Sequence, residues 1–426
     1  MSRPSWGVAQ PVRANQEVAY GSLFPTGVAG FLAALAGIGL PFWWTTLEAA
    51  PAMAIAVSVT LAVFVGIDGL PFVFRAWPVR TDGLQPRAMA MPRIGTKLVG
   101  LCALLGLTIA VCVIFPFFWR SVLVQWILAA NTFKLLPLLI LGCAVAITYI
   151  ALTDRLMDEP DDYLLQVGKA VLLQDFRKPD VLFALRVLAI KCFFLVLMFS
   201  GGVANFEWLF NHGLLQAPAF SIEWLEGALR LIYLVDVILA ASGYVATWKL
   251  FGWHVRATEE TARGWLVCLL CYDPFFSALS GNFFPPGGAH SWSAVFPEGS
   301  AVFIAWSGVT LSFHILYLWA TVAFGPRFSN LTHRGIITAG PYRFMKHPAY
   351  LAKNIAWWLF ALPGLVASGP MAGLAGGIPL ALVSMVYVLR AHAEERMLAV
   401  DPVYRAYAQK IATHGLAARL RRRLTR

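Results

Sequence analysis

LFALRVLAIKCFFLVLMFSG, residues 182–201, runs for twenty positions with two charges, Arg186 and Lys191. A run of about 20 apolar residues is long enough to cross the hydrocarbon core of a bilayer as a helix. Similar runs lie near 24–44, 51–74, 98–118, 132–152, 228–247, 264–283, 300–323, 351–368 and 372–390. With residues 182–201 they make ten candidate spans; Asp273-Pro274 interrupts the seventh, 264–283. The composition agrees: 59% of the 426 residues are hydrophobic and 13% charged, and the mean hydropathy is +0.69. Soluble domains are about half apolar and a quarter charged. The expected fold is all-α, a polytopic transmembrane bundle of about ten spans joined by short loops.

The formal charge of +11 does not imply a nucleic-acid partner, because the bases cluster in loops beside apolar runs. Residues 75–97 carry Arg75, Arg80, Arg87, Arg93 and Lys97; 153–180 carry Arg155, Lys169, Arg177 and Lys178. Lys249, Arg256 and Arg263 follow in 248–263, then Arg327, Arg334, Arg343 and Lys346 in 324–350, and the tail ends RLRRRLTR. The loops 202–227 and 284–299 hold no Lys or Arg. Basic loops stay on the cytoplasmic side, so this alternation predicts ten spans with both termini cytoplasmic. The apolar run after residue 22 is too long for a signal peptide and reads as a retained first span.

Cys102, Cys112, Cys143, Cys192, Cys268 and Cys271 all lie in apolar runs and read as buried structural thiols. No metal site is expected. Residues 153–180 suggest an interfacial amphipathic helix with Leu164, Leu165, Val167, Val171 and Leu172 on its apolar side. Asp68, Lys134, Arg186, Lys191, Arg230, Asp236 and Asp273 fall within or near spans, where charge is costly and marks candidate function. Asp236 could pair with Arg186 or Arg230, and Asp273 could line a cavity.

The densest polar cluster is GPYRFMKHPAYLAKN, residues 340–354. Pro341 and Pro348 forbid a continuous helix through it. Gly340-Pro341 reads as a turn, and Pro348 suits the first turn of the ninth span. The free N–H groups of that helix start, with Lys346 and His347, suit a carboxylate or phosphate. After the last span comes RAHAEERMLAVDPVYRAYAQK, residues 390–410. Arg390 and Glu394 are four apart and share a helical face. A short hairpin between the last two spans would bring both clusters together.

GPYRFMKHPAYL followed by RAHAEERML and DPVYRAY resembles the isoprenylcysteine carboxyl methyltransferase family and the related phospholipid methyltransferase-like membrane proteins. The likeness covers residues 300–412; residues 1–299 form an N-terminal membrane region of about seven spans with no assigned role, and 413–426 a basic tail. The resemblance implies S-adenosylmethionine bound at the cytoplasmic end of the last spans. Carried over, Tyr342, Lys346, His347, Pro348 and Tyr350 form one wall. Arg390, Glu394 and Glu395 form the other and carry catalysis, and Tyr404 and Tyr407 close it. Lys346 stands where the family has arginine, and Ala352 where glycine is common. The implied acceptor is lipophilic, such as an isoprenoid-linked carboxylate, and enters from the bilayer of the inner (cytoplasmic) membrane. A carboxylate acceptor needs no base, whereas an amine or hydroxyl would use Glu395 or His347. Two alternatives remain. One is an NADPH-dependent sterol reductase-like enzyme, whose signature R-H-x-N-Y-x-G-D is less well matched. The other is a non-catalytic membrane protein with a degenerate module.

Overall fold

The computed structural model describes residues 23–42, 47–71, 73, 90–114, 132–157, 160–213, 217–273, 275–280 and 291–425. Arg75, Arg80 and Arg87, the side chain of Lys134 and residues 284–290 of the loop 284–299 lie outside the described residues.

The described chain is a helical bundle. Its first helices are α1 (Leu23–Phe42), α2 (Ala49–Phe64, continuing into a π-helical turn Val65–Gly69), α3 (Met91–Ile114) and α4 (Thr132–Leu156). Next come α5 (Tyr163–Leu173), α6 (Pro179–His212) and α7 (Ile222–Val245). The short helices α8 (Ala262–Leu269), α9 (Phe275–Ser280) and α10 (Trp292–Val295) lead to α11 (Ala301–Phe324). The chain closes with α12 (Pro348–Ala367), α13 (Pro370–Leu398), α14 (Pro402–His414) and α15 (Leu416–Leu424). The described sheet is one antiparallel pair, β1 (Ala257–Thr258) with β2 (Thr332–His333).

Local chemistry sets the helix starts. Ser221, Thr261, Ser300, Asp162 and Asp401 accept backbone N–H bonds as N-caps of α7, α8, α11, α5 and α14. Pro179, Pro348, Pro370 and Pro402 open α6, α12, α13 and α14. Gly369, at φ +85°, makes the turn between α12 and α13.

Among the described residues, seven helices are long and apolar enough to cross a membrane: α1, α2 with its π turn, α3, α6, α7, α11 and α13. The expected seventh span is not one helix, since α8 ends at Leu269 and α9 begins only at Phe275. Asp273 accepts the N–H of Ser277 in α9 and does not line the cavity described below.

The main core is built by α1, α2, α6, α7 and α11, around Phe64, Phe194, Phe206, Tyr244 and Trp253. Other intramembrane charges have local partners. Asp68 accepts from the Trp253 indole at 2.7 Å. Lys191 donates to Tyr163 at 2.8 Å and Thr247 at 2.5 Å. Arg186 pairs with Glu260 and Arg230 with Glu226, so neither is the partner of Asp236. Asp236 instead accepts from Tyr317 at 2.5 Å and Thr321 at 2.6 Å, both on α11. Hydroxyls one turn apart on the neighbouring helix satisfy both its oxygens.

Two surface expectations change. Cys192, Cys268 and Cys271 are buried as expected, but Cys102 and Cys143 are exposed on the outer faces of their helices. Leu164, Leu165 and Val167 are buried in α5, whereas Val171 and Leu172 are exposed, because α5 packs on α3 through its first two turns. There Lys97, fully buried, donates to Asp162 at 2.8 Å. The crossing depends on glycine. A Cβ at Gly168 would lie 1.9 Å from the Thr96 carbonyl oxygen, and one at Gly100 2.0 Å from that of Leu164.

Gly168→Val must therefore push α5 off α3. The expected loss is about 1–3 kcal/mol, read as a lower thermal midpoint of the purified protein in detergent. An unchanged midpoint would contradict this packing.

Candidate functional site

The turn 340–347 and the end of α13 meet. Gly340–Arg343 form a short 3-10 turn, and His347 lies immediately before Pro348 at the start of α12. The α12–α13 hairpin is continuous to Leu398, so Arg390, Glu394 and Glu395 project from the last turns of one helix. His347 Nε2 is 2.9 Å from Glu395 Oε1, and Lys346 Nζ is 2.6 Å from the same oxygen. His347 Nδ1 is 3.8 Å from Glu394 Oε2. Tyr350 donates to Glu394, and its ring stacks on His347 with centroids 5.4 Å apart.

These groups border a cavity with about 1180 Å³ of empty space, mouth included. Of the residues expected at a site, Tyr342, Lys346, His347, Tyr350, Arg390, Glu394, Tyr404 and Tyr407 line it. Pro348 and Glu395 do not; Glu395 reaches Lys346 and His347 from outside the lining. Ala352 is fully buried and also absent from the wall, so its methyl does not narrow the cavity.

Arg390 is buried, with its guanidinium carbon 5.0 Å from the Tyr350 ring centroid and 5.4 Å from that of Tyr272. Cation–π contacts of this kind offset part of the cost of dehydrating the charge. Its Nη2 donates to Asn330 Oδ1 at 2.6 Å, and its Nε is 3.7 Å from Glu394. Asn330 in turn gives its backbone N–H and side-chain N–H to Tyr244 Oη, at 2.9 and 2.7 Å. A single chain of hydrogen bonds thus runs from the core to the site.

The segment FSNLTHRG, residues 328–335, builds much of the wall and was not singled out from the sequence. Its signal was there: a polar run directly after an apolar helix. Arg334 donates to the backbone carbonyls of Gly243, Ala246, Trp253 and Phe328. Burial, then the charge of Arg327, lowers its pKa to about 9, so it stays protonated at neutral pH. His333 accepts the Gly335 N–H at Nδ1, 3.1 Å, which leaves Nε2 to donate to Asp401 at 2.8 Å. Asp401 also caps α14 through the Val403 N–H. Burial alone would raise the Asp401 pKa, but these donors together hold it below the ordinary 3.8.

The wall carries five basic side chains, Arg327, Arg334, Lys346, Lys353 and Arg390, against one carboxylate, Glu394. Arg334, Lys346 and Arg390 are committed to the partners above. Lys353, on α12, has its ammonium 4.5 Å from the Tyr317 ring centroid and, among the described residues, forms no ion pair or hydrogen bond. Tyr407 donates to the Tyr342 carbonyl at 2.8 Å. Tyr404 Oη is buried in the wall and, among the described residues, has no hydrogen-bond partner. Burial, then the nearby glutamates Glu395 and Glu394, raises its pKa above that of an ordinary phenol, so it stays a donor. The cavity therefore offers a carboxylate, an ammonium and a phenol.

Because the folded-state pKa of Asp401 lies below its unfolded value, its stabilising effect is full above the unfolded pKa and is lost as pH falls through the folded one. Acidification below about pH 4 should lower the thermal midpoint of the wild type more than that of Asp401→Asn. Parallel losses would contradict this role. No family model, curated protein or solved structure matches the chain.

Proposed function

We propose that the protein is an integral membrane S-adenosylmethionine-dependent methyltransferase acting on a lipophilic acceptor. One observation carries the reading: His347, Tyr350, Arg390 and Glu394, from two separate sequence clusters, border one cavity. On this reading the basic loops face the cytoplasm, and the cavity opens at that end of the bundle.

The residues present fit the cofactor. Glu394 can accept an ammonium, Lys346 can meet a carboxylate with the ammonium donors it does not give to Glu395, and tyrosine faces can stack on a purine. Lys346 gives a point charge where an arginine would give a bidentate clamp. Tyr404 Oη needs an acceptor that a hydroxylated or carbonyl-bearing ligand would supply. When bound, S-adenosylmethionine supplies an electrophilic methyl group on a sulfonium.

The chain's part is placement and exclusion of water. Glu395 keeps Lys346 and His347 at the cavity edge. Arg390 holds the Glu394 side of the wall. Lys353 lies one helical turn beyond Tyr350, beside Tyr317, where the polar end of an acceptor can be met. With a carboxylate acceptor no proton moves; an amine or hydroxyl needs a base, a role His347 in the wall could take.

S-adenosylhomocysteine should raise the thermal midpoint of the purified protein, and NADPH should not. Glu394→Gln should weaken S-adenosylhomocysteine binding by at least about tenfold, the value of one charge-assisted hydrogen bond. Stabilisation by NADPH alone would favour a reductase and overturn the reading.

A further inference from the structure

The last helix, α15, is LAARLRRRL, and none of its nine residues is buried. Isolated helices shorter than about 12–15 residues are marginal in water. A helix of this length with no protein beneath it needs another surface. Leu416, Leu420 and Leu424 recur every four positions on one face and are 42%, 50% and 87% exposed. Arg419, Arg421, Arg422 and Arg423 supply the rest, and among the described residues none pairs with a carboxylate. Arg419 and Arg422 donate to the carbonyls of His414 and Thr413 at the end of α14. α15 also joins the turn of the candidate site. The Leu416 N–H donates to the Phe344 carbonyl at 2.8 Å, and Arg419 lies 6.0 Å from the Phe344 ring centroid.

The geometry points to α15 as a surface helix that rests on an anionic bilayer, with its leucines at the headgroup–acyl boundary and its arginines on lipid phosphates. A leucine face flanked by arginine is the pattern of interfacial helices. Arginines near an anionic surface are drawn to its lipid phosphates. A nucleic acid would satisfy the arginines and leave the leucines in water. The bilayer takes both faces, and the Leu416–Phe344 bond holds α15 at the end of the helical bundle, just before α12. This inference does not depend on the methyltransferase reading.

The test is hydrogen–deuterium exchange of the full chain in nanodiscs of phosphatidylcholine alone, and of phosphatidylcholine with phosphatidylglycerol. Exchange at 416–424 should be about tenfold slower in the anionic discs, equivalent to about 1.4 kcal/mol. High salt or Leu420→Glu should abolish that difference while leaving exchange in α12 and α13 unchanged. Equal exchange in the two lipid compositions would overturn the proposal. So would protection that follows the number of protein copies per disc, because a second copy would then cover the helix.

Discussion

The candidate site depends on a closure between two short segments that the chain keeps forty-odd residues apart. Lys346 and His347 sit before the first turn of α12, and Glu395 meets both from the last turns of α13. Neither segment could form a site alone. The Pro348 helix start fixes where the turn ends, and the Gly369 hairpin returns α13 antiparallel. The α13 helix then continues as one rod to Leu398, which sets the height of its acids.

That closure is hung on the core by buried polar groups. Tyr244 stacks on Phe194 with centroids 5.6 Å apart and holds Asn330, which holds Arg390. Arg334 ties the same loop to the carbonyl end of α7, where a cation also meets the negative end of the helix dipole. Asp236, Tyr317 and Thr321 join α7 to α11 beneath it. Polar groups buried in hydrocarbon are tolerated only when their partners are close. The network thus makes the wall stiff as well as polar.

Much of this could be read in the sequence. Apolar run lengths gave helices near the right places, and Pro341 and Pro348 gave the turn. The stretches GPYRFMKHPAYL and RAHAEERMLAVDPVYRAY hold the eight expected residues that line the cavity. What escaped reading was long-range pairing. Asp236 is satisfied by hydroxyls on α11, not by an arginine, and no spacing rule connects residues 81 and 85 positions apart. Arg334 and Asn330 looked like loop residues because their partners are main-chain carbonyls and a distant tyrosine. The break between α8 and α9 shows the limit of hydropathy as a guide: Asp273 and the proline after it outweigh the apolar residues on either side.

The central claim is that the closed turn and the acid-bearing helix act as a single binding element. A double-mutant cycle on S-adenosylhomocysteine affinity, using His347→Ala, Glu395→Gln and the double variant, tests it most directly. If the two residues work through one contact, the double variant should lose less than the sum of the single losses, with a coupling of at least about 0.5 kcal/mol. Strictly additive losses, or undiminished affinity in all three variants, would contradict the account.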